Sequence, residues 1–292
     1  MTEPEAPLRC FGLVSFLNCT QSRLRRIVPD STHDSESWLP MTSPATDFAV
    51  RVSSLSYSYP GAREVLRNIS FEVARREIVG LVGPSGAGKS TLLMHLNGLL
   101  PERLDRSREP ARIEVCGLPV QRPYLDRVRQ LVGFVFQDPD DQLFCPTVRE
   151  DVAFGPLNLG LDQRTVLERV QHQLERVGLA GYEHRSTLQL SVGEKKRVCL
   201  AGVLASEPEV LVLDEPFSNL DPRARRSLMA ILRDFPGSQL IATHDLDLAV
   251  ELCHRVIVLD GGEVRACGAT RTVLSDPVLM DQHGLEVPYQ LR

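Results

Sequence analysis

Hydrophobic positions along the 292-residue chain become patterned from Phe48 onward. Alternation through Val50, Val52 and Leu55 predicts a half-exposed strand, followed by a turn at Pro60-Gly61. Ile69, Phe71 and Val73 predict a second strand. Ile78 to Val82 differs: it is a short continuous apolar run, the pattern of a strand buried on both faces. That run leads directly into Gly83-Pro84-Ser85-Gly86-Ala87-Gly88, and the segment 89–100 then carries helical apolar spacing. Further strands are predicted at 131–136, 210–213, 239–242 and 256–259. Helix-length segments separate several of them, which predicts an α/β fold with a mostly parallel sheet covered on both faces. The interval 147–190 shows no strand pattern. Leu161, Val166, Leu167, Val170, Leu174 and Val177 mark a helix face within it, so a helical insert is expected there.

Residues 1–47 lack periodicity. The apolar piece at 10–17 is short and follows the acidic Glu3 and Glu5, unlike a secretory leader with its basic start and longer apolar run. Arg23, Arg25 and Arg26 and a polar run at 30–37 follow it. The segment is expected to be a disordered extension, and Met41 is an alternative start.

The charge balance narrows the function classes. With 33 basic against 38 acidic side chains the net charge is -5, which argues against a protein that reads nucleic-acid phosphates through a basic field. No stretch reaches the roughly 18 apolar residues of a membrane-spanning helix. Seven cysteines without a CxxC spacing argue against a disulfide framework or a structural zinc site and fit a reducing cytoplasm. Of the 33 basic residues only Lys89, Lys195 and Lys196 are lysines, so each lysine position merits inspection.

Two segments carry chemistry. Gly83-Pro84-Ser85-Gly86-Ala87-Gly88-Lys89-Ser90 has the GxxxxGK[ST] spacing of a phosphate-binding loop, with a buried strand before it and a helix after it. The glycines let successive N–H groups face phosphate oxygens, and the helix presents its positive end to the same anion. Lys89 is expected to reach the terminal phosphates as a point charge, Ser90 to ligate magnesium, and Thr91 to complete the nucleotide-binding stretch. The second segment is Leu211-Val212-Leu213-Asp214-Glu215, an apolar strand ending in two carboxylates at the edge where open α/β sheets place ligands. Two buried acids need a balancing cation, which a magnesium nucleotide supplies. Asp214 is then expected to hold the metal and Glu215 to polarise the attacking water.

With both segments in place, the sequence resembles the nucleotide-binding subunits of ATP-binding-cassette transporters. Phe136-Gln137 resembles the Q-loop, whose glutamine touches magnesium and water and faces the membrane partner. Leu190-Ser191-Val192-Gly193-Glu194 resembles the LSGGQ signature, and Ser218-Asn219-Leu220-Asp221 the D-loop. His244 resembles the switch histidine at the γ-phosphate, and Tyr59, ahead of Tyr57, the aromatic that stacks on adenine. The resemblance implies a P-loop NTPase core with an antiparallel β subdomain and a helical subdomain at about 147–205. The cassette would span 48–274, with 275–292 a short tail. It also implies ATP and Mg²⁺ as ligands and ATP hydrolysis as the activity. Gln137, Glu215 and His244 would be catalytic, and Ser90, Gln137 and Asp214 would hold the metal. Two such subunits, identical or paralogous, would sandwich nucleotide between one phosphate loop and the other's Ser191, Val192, Gly193 and Glu194, with Asp221 nearby. Ser191 and Glu194 read independently as a capping box opening a helix through Ala205. Val192 and Glu194 depart from the usual glycine and glutamine. The valine would be strained if its φ were positive, and the glutamate would repel phosphate unless it folds back onto Ser191.

The segment Gln137-Asp138-Pro139-Asp140-Asp141-Gln142-Leu143-Phe144-Cys145-Pro146-Thr147-Val148 is similar to the ATPases of energy-coupling-factor transporters, including cobalt and nickel importers. That resemblance implies a peripheral subunit on the cytoplasmic face of the membrane. It would power uptake of a transition-metal ion or a vitamin, beside an integral membrane coupling subunit and a substrate-capture subunit. Leu143, Phe144 and Pro146 are candidate contacts with the membrane partner; packing within the helical insert is the competing reading for Leu143 and Phe144. The alternatives are an ATPase of another transporter class or a soluble, non-transport cassette ATPase.

Overall fold

The computed structural model describes residues 47–61, 63–101 and 112–292. The expectations for residues 1–46, including the extension and Met41, lie outside the described residues. The first alternating segments form β1 (Phe48–Ser58) and β2 (Glu64–Ala74), an antiparallel pair with Val52 opposite Phe71 and Leu55 opposite Ile69. β3 (Ile78–Val82) is buried at every position. α1 (Lys89–Leu96) is four residues shorter than the expected 89–100, because Gly98 turns the chain at φ 67° just beyond the Asn97 cap. Two strands without a readable pattern, β4 (Ile113–Val115) and β5 (Leu118–Pro119), complete a four-stranded sheet in the order β2-β1-β4-β5. All of its pairings are antiparallel.

α2 (Leu125–Leu131) abuts β6 (Val132–Val135), so Leu131, expected in the strand, instead closes the helix. The helical segment follows with α3 (Val148–Asn158), α4 (Gln163–Arg176) and α5 (Val192–Ala205). Thr147 and Glu150 form a capping box on α3, and Asp162 caps α4 through the Arg164 and Thr165 N–H groups. The buried stripe of α4 is Val166, Val170, Gln173 and Leu174. Leu167, expected on that face, is 45% exposed. One position is a rotation of roughly 100°, which carries Leu167 from the stripe to the rim.

β7 (Val210–Asp214), α6 (Pro222–Arg233), β8 (Ser238–Ala242), α7 (Leu246–Leu252), β9 (Arg255–Asp260), β10 (Glu263–Ala269), α8 (Thr270–Leu274) and α9 (Pro277–Gln282) complete the elements. The larger sheet has the order β10-β9-β3-β8-β7-β6. Its strands are parallel except β10, which runs antiparallel at the edge. One face packs Leu92, Leu93 and Leu96 of α1 together with the antiparallel sheet. The other packs Leu200 and Leu204 of α5, Leu228 and Leu232 of α6, and Leu248 of α7. Past α9, Leu285, Val287 and Leu291 pack onto the same core, and the Gln290 N–H donates to Asp247 of α7 at 3.2 Å. Among the described residues no helix is long and apolar enough to cross a membrane.

Candidate functional site

Because β3, β8, β7 and β6 are parallel neighbours, whatever follows each of them meets along one edge of the sheet. The loop 83–88 follows β3, Glu215 follows β7, His244 lies just beyond β8 and Gln137 just beyond β6. Residues dispersed over the sequence are thereby gathered into one row.

The loop owes its shape to a glycine that admits no side chain, Gly83, and to one where a side chain would be strained, Gly88. At Gly83 a Cβ would stand 1.9 Å from the Leu259 carbonyl oxygen, and at Gly88, φ 102°, it would press on Leu66 at 3.0 Å. Ser85 and Gly86 form the exposed crest, while Ala87 is buried beneath it. Lys89 Nζ donates to the Gly83 and Pro84 carbonyls at 2.8 and 3.0 Å, which folds its stem along the loop. Burial pushes the Lys89 pKa down, and the Glu215 and Asp214 carboxylates pull it back up. Thr91 Oγ1 lies 3.1 Å from the Tyr59 hydroxyl, and the Tyr57 ring stands edge-on to Tyr59.

Asp214 closes β7 at 5% exposure, and its Oδ1 is buried without a hydrogen-bond partner. Burial pushes its pKa up, against a hydrogen bond from the Ser90 side chain. An orphaned carboxylate oxygen beside a hydroxyl is a hard-oxygen donor set, and it suits Mg²⁺. Glu215 adopts a left-handed backbone, φ 45°, a conformation costing on the order of 1–3 kcal/mol for a non-glycine residue. Its N–H donates to Ala242 O at 3.0 Å, and its Oε2 lies 2.8 Å from His244 Nδ1. The Glu215 side chain is 11% exposed and that of His244 70%, so the histidine stands over the carboxylate at the solvent side.

The segment at Ser191 is engaged within its own part of the fold. Ser191 Oγ accepts the Glu194 N–H, and Glu194 Oε2 accepts both the Ser191 N–H and its hydroxyl at 2.8 Å. Glu194 Oε1 accepts the Tyr182 hydroxyl at 2.9 Å. These donors, the Ser191 amide foremost, hold the Glu194 pKa down. The glutamate is therefore folded back onto its cap. Val192 is the first helical residue of α5, with no positive φ, so the strain considered for it is absent. Gly193 lies beside Leu220 and Ala224. Asp221 spends its carboxylate capping α6 through the Arg223 and Ala224 N–H groups.

Near the exposed Gln137, Leu143 packs on the core whereas Phe144 and Pro146 remain exposed. Phe144 sits edge-on to Phe154 at 4.7 Å, at the rim of a cavity of about 210 Å³ that Gly133, Gln142 and Val198 also line. Asp140 and Asp141 lie in an exposed turn; Asp140 pairs with Lys195, and no metal-ligating cluster occurs among the described residues. Sequence reasoning assigned no role to Tyr182 or Lys196. For Lys196 a signal existed, the scarcity of lysine; for Tyr182, 12 positions from Glu194, there was none.

Comparison with known proteins agrees with this geometry. The model of the ABC transporter family matches residues 66–218. The chain is 54% identical over 243 residues to a Gloeobacter violaceus protein named as an ABC transporter ATP-binding protein, covering 82% of this chain and 97% of the relative. It is 45% identical over 246 residues to the energy-coupling factor transporter ATP-binding protein EcfA of Methanothermobacter thermautotrophicus, covering 82% and 76%. Among solved structures, cbiO1 of Clostridium perfringens, part of the ABC transporter complex cbiONQ, superposes with a TM-score of 0.69 at 34% identity, covering 81% and 94%. The ATP-binding cassette MJ0796, in a dimeric post-hydrolysis state with ADP and Pi, superposes at 0.66 with 25% identity, covering 76% and 98%. The chain belongs to the ABC transporter family and is an ABC-type ATPase, the ATP-hydrolysing subunit of a transporter.

Proposed function

We propose that this chain is the ATPase of an energy-coupling-factor importer for a transition-metal ion (cobalt or nickel) or a vitamin. The similarity to EcfA and to cbiO1 supports the subgroup. The observation that carries the catalytic reading is the Glu215–His244 pair, poised beside the phosphate loop and the orphaned Asp214 oxygen. In this reading the amides of residues 83–91 and the Lys89 ammonium bind the triphosphate, and Tyr59 stacks on adenine. Ser90, Gln137 and Asp214 hold Mg²⁺, which neutralises phosphate charge when bound. Glu215 orients the attacking water and polarises it, and His244 fixes the carboxylate while its exposed ring faces the γ-phosphate. Ser191, Val192, Gly193 and Glu194 meet the nucleotide of a second ATPase subunit, identical or paralogous, with Asp221 at that interface. Because each phosphate loop faces the other subunit's Ser191 segment in this reading, an isolated chain holds half of each site. The exposed Phe144 and Pro146 receive an integral membrane subunit beside the Q-loop, which makes the chain a peripheral membrane protein on the cytoplasmic face. A separate subunit captures the cargo.

Glu215→Gln tests the catalytic assignment. The variant is expected to bind MgATP with parental affinity and to accumulate as a closed dimer, with turnover reduced about 100-fold or more. Parental turnover would remove Glu215 from the assignment.

A further inference from the structure

Lys196 lies on α5, five residues after Ser191, and is 4% exposed. A buried ammonium is costly unless its protons are taken up, and here all of them go to a single short loop. Nζ donates to Ser218 Oγ at 2.7 Å, to Glu215 O at 3.0 Å and to Pro216 O at 3.4 Å. Ser218 Oγ in turn donates to Glu215 O at 2.9 Å, closing a small network on the carbonyl of the residue with φ 45°. None of these acceptors is a carboxylate. The lysine thus binds backbone and hydroxyl dipoles at the turn from β7 toward α6, while the Glu215, Asp138 and Asp214 carboxylates act on it through their charge.

A left-handed non-glycine residue keeps its conformation only when its surroundings over-determine it. The Glu215 N–H is held from one side by Ala242 O, and Lys196 and Ser218 hold its carbonyl from the other. We infer that Lys196 is a positioning residue for Glu215: it fixes the peptide from which the carboxylate is aimed at the water. The inference rests on the catalytic reading of Glu215 given above. It also gives α5 a second duty, since the helix that opens at Ser191 holds this chain's own Glu215 loop through the same rigid element.

The test uses the full-length chain with Lys196→Met, which keeps the length of the stem and removes the donors. A shift of about 1 Å in a group that orients a reactant costs up to about 100-fold in rate. The variant is therefore expected to lose about 10- to 100-fold in kcat, while KM for MgATP and the affinity for a fluorescent ATP analogue stay within about twofold. Ser218→Ala, which leaves α5 untouched, is expected to lower kcat several-fold at constant KM and serves alone if the methionine variant does not fold. Turnover within about twofold of the parent, or a loss of nucleotide affinity in step with kcat, overturns the inference, the latter by showing a merely structural part. Glu215→Gln is assayed in parallel. If it turns over at the parental rate, the assignment of Glu215 falls and the inference falls with it; if it is inactive while both network variants remain fully active, only the inference falls.

Discussion

Replacing Asp214 by asparagine is expected to stabilise the nucleotide-free protein and to diminish its stabilisation by MgATP. The side chains match in shape, but asparagine removes a buried charge whose Oδ1 has no partner. Asparagine keeps a polar atom at that position but removes the desolvation cost of the charge, about 1–3 kcal/mol. For a domain of this size each kcal/mol moves Tm by about 2–4 °C, so a rise of about 2–12 °C is expected without nucleotide or metal. The pH dependence has a definite sign. Burial raises the folded pKa of Asp214 above its ordinary 3.8. Between 3.8 and the raised value the unfolded chain ionises while the folded one stays protonated, so stability falls as pH rises through that window. The advantage of the variant is therefore full above the raised value and vanishes below 3.8. MgATP narrows the gap, and reverses it where the advantage of the variant is below about 2.7 kcal/mol. At about 100 times its Kd a ligand adds about 2.7 kcal/mol to the parent, and the variant, lacking a metal-binding carboxylate, gains much less. Thermal unfolding with and without MgATP measures both arms. A lower Tm for the ligand-free variant, or an equal rise for both proteins with MgATP, refutes the reasoning.

Four further variants have expected outcomes. Glu194→Ala removes the acceptor of the Ser191 N–H, the Ser191 hydroxyl and the Tyr182 hydroxyl, and should cost about 1 kcal/mol in thermal unfolding. Glu194→Gln retains the cap and should leave ATP turnover within about threefold, because the carboxylate is already folded back; a large acceleration would show that its charge opposes the phosphate. Gly83→Ala drives a Cβ against the Leu259 carbonyl and should abolish soluble, nucleotide-binding protein. Gly86→Ala meets open space at φ 79° and should lose about 1–2 kcal/mol of stability while still folding. Equal effects of the two glycine changes would contradict the loop geometry.

The parts legible in the sequence were those where a local pattern has a local cause. Ile78–Val82 reads as a buried strand because both of its faces are covered, and the capping box at Ser191 is complete within four residues. β4 and β5 are too short to alternate, and β10, Glu263–Ala269, spends its positions on Gly, Cys and Ala along an edge. What no local pattern encodes is the strand order. Glu215 and His244 meet because β8 pairs with β7, and both adjoin the loop because β3 pairs with β8. The grip of Lys196 on Glu215 is hidden for the same reason: its acceptors lie across a helix–sheet contact 19 or more residues away. The left-handed φ of Glu215 left no trace in composition, since glutamate is not a residue that favours it.

The central claim is that loop amides and Lys89 bind the phosphates of ATP within reach of Glu215. A crystal structure of the Glu215→Gln variant grown with MgATP tests it most directly. The account predicts the β- and γ-phosphates on the N–H groups of residues 86–91, metal density between Ser90 and Asp214, and a water facing position 215. Phosphates bound elsewhere, or a folded protein with that loop empty at saturating MgATP, would contradict it.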